Sequence, residues 1–200
     1  AALRDASSGK YLVEERALTI ESSMEDAVAP DARGGRWVAN ALLVGDPAFD
    51  ADAFPELRPL PHAVDEVRRV AEVYQRQRML TGAEATRATM VEALRRATVV
   101  HYAGHAVADE ARPERSFLLL ASDDGAPSRL TAEYIRSGGL ALDGIRLMVL
   151  AACETLGAGS SDAVGFRGLA AALRSAGVNG VVGSLWRVHD EGTVELMVEL

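Results

Sequence analysis

The apolar residues of this chain follow two patterns in turn, short continuous runs and longer stretches with helical spacing. The apolar runs predict strands at residues 37–44, 78–80, 98–102, 117–121, 145–151 and 178–185. Helical spacing predicts helices within 62–77, 86–96, 131–137 and 166–175. Alternating strands and helices indicate βαβ units, and continuous apolar runs indicate strands buried on both faces. We therefore predict an α/β fold with a mostly parallel sheet of about six strands and helices on both faces.

Residues 1–35 differ from the rest and are predicted to be a lead-in to one domain over 36–200. Apolar segments at 11–13 and 17–20 predict a short hairpin, and the polar stretch ending at Gly35 predicts a loop. Residue 1 is Ala rather than Met, and the helical pattern of 191–200 stops without a cap. We expect the chain to be a fragment of a longer protein.

Composition narrows the classes of function. With 48% hydrophobic and 25% charged residues, the chain is globular rather than disordered. A net charge of −8 without a basic cluster argues against binding nucleic acid or an anionic membrane. The chain has no transmembrane run, no signal peptide at its start, and a single cysteine that cannot form an internal disulfide. We expect a cytoplasmic protein.

Two reactive side chains directly follow predicted strands. His105 comes after the strand at 98–102, and Cys153 comes after the strand at 145–151. In parallel sheets the functional site lies at the carboxyl ends of the strands, so both residues are expected at one edge. A thiol is only a few per cent thiolate at neutral pH, and an adjacent imidazole can take its proton or stabilise the thiolate. The spacing of 48 residues is close to the roughly 50 that separate histidine from cysteine in caspases.

Three blocks of sequence carry a resemblance to a known family: HYAGHAV, LAACETLGAG and VVGSLWRVHDEGTVELM. They resemble the signature blocks of the CHAT family, caspase-like peptidase domains that are usually fused to tetratricopeptide repeats and are related to separase. The upstream blocks LLVGDPAF, LPHAVDEV, TGAEATRATMVEAL and GKYLVEERALTIESS also match, so the resemblance spans nearly all 200 residues in order. It implies a caspase-like three-layer sandwich.

The resemblance also implies a chemistry, that of a cysteine endopeptidase. His105 would be the general base and Cys153 the nucleophile, which forms an acyl-enzyme that water hydrolyses. The backbone N–H groups of Cys153 and Ala106 would form the oxyanion hole. The family usually has glycine where this chain has Ala106, and an alanine would be strained there if the backbone needed a positive φ. This chemistry needs no metal and no organic cofactor.

A substrate pocket is implied further along the chain. Asp190 matches an aspartate of the family's downstream block, and in separase an acid in this region reads the arginine before the scissile bond. Asp190 would then be the floor of the pocket, Trp186 a wall, and Glu154 a further substrate contact. The implied partners are a protein substrate and gating regions, such as tetratricopeptide repeats, of the same or another chain.

Other interpretations of the chain compete with the peptidase. A degenerate CHAT domain would bind a protein partner without cutting it; intact His105 and Cys153 argue against this, and Ala106 argues slightly for it. A nucleotide-binding domain would need a complete phosphate loop, which the Gly-Ala-Gly at 157–159 does not provide. His101 and His105 do not suit a shared metal, because on a strand they would lie roughly 13 Å apart. We predict that His101 is a core histidine bonded to backbone.

Overall fold

The computed structural model of the protein describes residues 38–109, 111–123, 126–151 and 162–183. The strands are β1 (Asn40–Pro47), β2 (Arg76–Gly82), β3 (Val99–Ala103), β4 (Ala106–Val107), β5 (Phe117–Asp123), β6 (Ala126–Thr131), β7 (Leu147–Leu150) and β8 (Gly180–Gly183). The helices are α1 (Ala63–Ala71), α2 (Arg87–Leu94), α3 (Ala132–Tyr134) and α4 (Asp162–Ser175). A 3₁₀ turn spans Pro113–Arg115, and a π-type turn over Ile135–Gly139 continues α3.

The main sheet of the described residues has five parallel strands in the order β2-β1-β3-β7-β8. Each strand is separated from the next in sequence by a crossover, as parallel pairing requires. The register pairs Leu43 with His101 and His101 with Val149, so β3 lies at the centre of the sheet. The predicted α/β class with a mostly parallel sheet is confirmed.

The two faces of this sheet bury different helices because successive side chains of a strand point to opposite sides. On one face Ala41 and Leu43 pack with Val67 and Val70 of α1. On the other face lies the larger core, which includes α2 and α4 together with strand residues such as Leu42. Helices therefore cover both faces, and the three-layer arrangement agrees with the caspase-like sandwich expected from the sequence.

The strand predicted at 117–121 does not join the parallel sheet. As β5 it pairs antiparallel with β4 and β6 in a second sheet of three strands. The predicted strand is present, but its sheet was not predicted, because an apolar run such as Phe117-Leu-Leu-Leu-Ala121 does not reveal its partner. The partner strand β6, Ala-Pro-Ser-Arg-Leu-Thr, has neither apolar alternation nor a continuous apolar run.

Residues 1–37 lie outside the described part of the chain. The predicted hairpin and the boundary at 35/36 therefore remain predictions. None of the helices in the described ranges has the length and apolar character that crossing a bilayer requires.

Helix α1 approaches β1 so closely at Gly45 that there is no room for a side chain at this position. A Cβ at this position would lie 2.6 Å from Val67 Cγ2 and 3.1 Å from the carbonyl oxygen of Ala63. Both distances are shorter than ordinary van der Waals contact, and the second involves backbone that cannot rotate away.

Gly45→Ala is therefore expected to lower the free energy of unfolding by about 1–3 kcal/mol. Urea denaturation followed by circular dichroism measures the change. Gly144→Ala is the control, because a Cβ there would lie 3.9 Å from its nearest neighbour. The control is expected to change stability by less than about 0.5 kcal/mol. Equal losses in both variants would contradict the close packing of α1 on β1.

Candidate functional site

The end of β3 places His105 at the carboxyl edge of the parallel sheet, as predicted. The chain leaves β3 at Ala103, passes Gly104, and enters β4 of the small sheet at Ala106. His105 thus lies where the two sheets meet. Its carbonyl oxygen accepts a hydrogen bond from the Leu119 N–H of β5 at 2.9 Å, which holds the backbone at this point. The residue is buried, with only 2% of its surface exposed.

Glycine is required at position 104 by the side chain of Tyr102. A Cβ at Gly104 would lie 2.6 Å from the Tyr102 hydroxyl oxygen and 3.1 Å from Pro47 Cδ. The Tyr102 hydroxyl is 2.6 Å from the carbonyl oxygen of Leu119 and 2.9 Å from that of His105, so its proton is shared between them. A buried tyrosine thereby ties the turn that carries His105 to the neighbouring strand β5.

The imidazole of His105 is oriented by a backbone carbonyl. Its Nε2 lies 2.8 Å from the carbonyl oxygen of Arg58. A carbonyl only accepts hydrogen bonds, so Nε2 carries a proton and donates it. In the neutral ring Nδ1 then holds the lone pair that can take up a proton. The Phe49 ring packs edge-on against the imidazole, with ring centroids 5.2 Å apart and planes at 88°.

The loop between β1 and α1 holds the Arg58 carbonyl in place. The side chains of Phe54 and Leu57 anchor this loop by packing with β5 in a small separate core. At its far end the Leu60 N–H donates to the Asp46 carboxylate at 3.4 Å. Asp46 has a φ of 43°, the only positive φ of a non-glycine residue in the described ranges. Aspartate tolerates this left-handed conformation better than most residues, and here its carboxylate accepts the hydrogen bond from Leu60.

Ala106, the predicted oxyanion-hole residue, begins β4 and is buried. Its φ is not positive, so the strain considered from the sequence does not arise. Ala106 pairs with Leu118, and the bond from Leu119 N–H to the His105 carbonyl makes this a non-hydrogen-bonded pair. The N–H of Ala106 therefore points away from β5.

His101 is a core histidine, as predicted, but its partner is a side chain rather than backbone. Its Nε2 lies 2.6 Å from Oε1 of Glu66, and both residues are buried. The sequence placed Glu66 in a helix, and its spacing from Ala63 and Val70 puts it on the buried face of α1. His62, by contrast, is exposed at the start of α1.

The other predicted site residues lie outside the described part of the chain. These are the predicted nucleophile, Cys153, and the predicted substrate contacts, Glu154, Trp186 and Asp190. The strand that leads to Cys153 is described: β7 pairs with β3, and the Ala151 N–H donates to the Tyr102 carbonyl at 2.9 Å. The two strands therefore end next to each other, at the one edge of the sheet that the sequence predicted for them.

Sequence reasoning missed the groups that hold His105. Arg58 acts through its carbonyl, and any residue type supplies one, so no motif reveals it. Tyr102 and Phe49 are apolar in pattern, and only their contacts give them a role. Glu66 carried a usable signal, since it is the acidic residue that falls on the apolar face of the predicted helix.

Comparison with known proteins adds one finding. The family model of the CHAT domain matches residues 1–200. No curated protein matches the chain.

Loss of the Tyr102 hydroxyl tests how the turn is held. Tyr102→Phe is expected to lower the free energy of unfolding by about 1–3 kcal/mol, because the buried Leu119 carbonyl loses its tyrosine donor. Tyr134→Phe is the control, since the Tyr134 hydroxyl makes no hydrogen bond within the described ranges. Chemical denaturation of both variants measures the difference. A loss in Tyr134→Phe as large as that in Tyr102→Phe would contradict the role assigned to Tyr102.

The Tyr102 hydroxyl also makes the stability of the fold depend on pH in the alkaline range. Burial, with a smaller effect of the Asp46 charge, raises the pKa of Tyr102 above its ordinary value of 10.0. The folded chain therefore keeps this proton while the unfolded chain loses it, and stability falls as pH rises above about 10. Denaturation at pH 9 and pH 11 is expected to show a smaller fall for Tyr102→Phe than for the unmodified protein. Equal falls would contradict this linkage.

Proposed function

The chain belongs to the CHAT domain family, and on that premise we propose that it is a cysteine endopeptidase that cuts a protein partner through His105 and Cys153. The family consists of caspase-like domains related to proteases. The observation that carries the proposal is the hydrogen bond from His105 Nε2 to the Arg58 carbonyl. It leaves Nδ1 as the basic nitrogen of a buried imidazole at the carboxyl edge of the sheet, which is what a general base requires.

The position of the strands supports the pairing of His105 with Cys153. His105 follows Ala103 by two residues, and Cys153 follows Ala151 by two residues. Ala151 donates its N–H to the carbonyl of Tyr102, so β3 and β7 end side by side. Cys153 is the only cysteine of the chain and follows the end of β7 by three residues in sequence, which supports it as the candidate nucleophile.

In the proposed reaction, Nδ1 of His105 takes the thiol proton of Cys153. The thiolate attacks the scissile carbonyl carbon, and the resulting oxyanion accepts hydrogen bonds from backbone N–H groups, for which Ala106 and Cys153 are proposed. The imidazolium returns its proton to the leaving amine as the peptide bond breaks. Water, deprotonated by His105, then hydrolyses the thioester and releases the second product.

The substrate pocket and the regulation belong to the proposal as well. Asp190 would select a basic residue before the cut, with Trp186 and Glu154 lining the pocket. The activity would be gated by repeats or other regulatory regions of the same or a partner chain, in the cytoplasm. The alternative function is a domain that binds its protein partner without cutting it.

Cleavage of a mixed-sequence peptide library, read by mass spectrometry, tests the peptidase. The protein is expected to cut a subset of peptides, and every cut is expected to disappear in Cys153→Ala. Cuts after Arg or Lys would support Asp190 as the pocket floor, and a preference for apolar residues would remove it. Cuts that persist in Cys153→Ala would show that another group, or a contaminant, does the chemistry.

Reactivity of the thiol separates a gated enzyme from a binding module when the library shows no cuts. Cys153 is the only cysteine, so alkylation reports on this residue alone. As the nucleophile, it is expected to react with iodoacetamide well below pH 8.5, the ordinary thiol pKa. His105→Ala is expected to shift this profile toward that value. An ordinary profile in the unmodified protein, unchanged by His105→Ala, would favour the binding module.

A further inference from the structure

The contact between Glu66 and His101 is a buried polar pair that the proposed reaction does not use. Glu66 is 2% exposed and His101 is 3% exposed, and Oε1 and Nε2 are 2.6 Å apart. Burying a carboxyl group and an imidazole costs free energy that apolar residues of similar size would not cost. A hydrogen bond this short offsets part of that cost, but a pair in the core calls for an explanation beyond stability.

The pair is not placed to take part in catalysis or to bind a metal. His101 lies in the middle of β3, in one row with Leu43 and Val149, on the face that packs against α1. The reactive edge of the sheet lies further along the strand. Within the described ranges, no group of three or more His, Cys, Asp or Glu side chains is arranged to hold a metal ion.

Its place in the fold suggests a different role. Two histidines of the segment 101–105 bind two points of the segment 58–66: His105 binds the Arg58 carbonyl, and His101 binds the Glu66 carboxyl group. Backbone hydrogen bonds from Ala63 N–H to Leu60 O and from Glu66 N–H to His62 O join residues 60–66 to one another, and Arg58 lies two residues before Leu60 in the chain. A shift of α1 along β3 would therefore carry the Arg58 carbonyl with it.

We propose that Glu66 and His101 are positioning residues that hold α1 in register with β3, so that the Arg58 carbonyl meets Nε2 of His105. The pair is directional, whereas the apolar contacts of Val67 and Val70 tolerate sliding by a fraction of an ångström. Its catalytic consequence rests on the proposed function, but its structural consequence, the tautomer and orientation of His105, does not.

The test reads the tautomer of His105 directly, by ¹⁵N–¹H NMR of protein labelled at histidine, with His105 assigned by its loss in His105→Ala. In the unmodified protein His105 is expected as the single Nε2–H tautomer. Glu66→Leu is expected to give a mixture of tautomers, and Glu66→Gln, which can still accept a hydrogen bond, is expected to retain Nε2–H. Val70→Ala loosens the packing of α1 but leaves the Glu66 and His101 side chains intact, and it is expected to retain Nε2–H also.

The outcomes decide the proposal whether or not the protein cleaves peptides. A single Nε2–H tautomer in Glu66→Leu overturns it, and so does a tautomer mixture in Val70→Ala. If Glu66→Leu does not fold, Glu66→Asp replaces it, since the shorter side chain draws the carboxylate away from His101; an unaltered His105 then overturns the proposal.

Kinetics add a second readout if the unmodified protein is a peptidase. Glu66→Leu is expected to lower kcat by about 10- to 100-fold with little change in KM, because misplacement affects the base rather than substrate binding. Glu66→Gln is expected to recover most of the rate. An absence of cleavage by the unmodified protein would count against the proposed peptidase activity but not against the positioning role, because the NMR comparison does not depend on cleavage.

Discussion

Strand β3 lies at the centre of the five-stranded sheet, hydrogen-bonded to β1 on one side and to β7 on the other. Parallel pairing on both sides brings the carboxyl ends of the three strands to one edge, and the chain that leaves β3 there carries His105. Because β3 is buried on both faces, its side chains must pack with a helix on each side. The position of the candidate base therefore depends on the pairing and packing of this one strand.

Hydrogen bonds to backbone carbonyl groups orient the ring and hold the backbone of His105 at the candidate site. The carbonyl of Arg58 orients the imidazole of His105, and the carbonyl of His105 is itself held by Leu119 and Tyr102. A carbonyl acceptor defines the tautomer of histidine without placing a second charge beside it. The loop around Arg58 is kept in position by the burial of Phe54 and Leu57 and by the side chain of Asp46. The orientation of the His105 imidazole therefore depends on the stability of this loop.

The second, antiparallel sheet gives the site its other wall. Strand β5 supplies the Leu119 N–H for the His105 backbone, and its apolar side chains anchor the loop that carries the Arg58 carbonyl. The two sheets therefore approach His105 from different directions and restrict both its backbone and its ring. The same arrangement leaves the Ala106 N–H directed away from β5, which is compatible with the backbone donor that a CHAT peptidase would need.

Apolar runs and their spacing by themselves determined the α/β class, the buried strands, the helices and the residues that follow strand ends. A strand buried on both faces is apolar whichever strands lie beside it, so this pattern can be read without knowing the strand order. The blocks around His105 and Cys153 determined the family. Only the tertiary structure decided that the strand at 117–121 belongs to a second sheet, that His101 binds Glu66, and that the Arg58 carbonyl orients His105. Strand pairing and backbone acceptors do not require a particular residue type, and the His101–Glu66 contact joins residues 35 positions apart, so the local sequence does not show which of these groups meet.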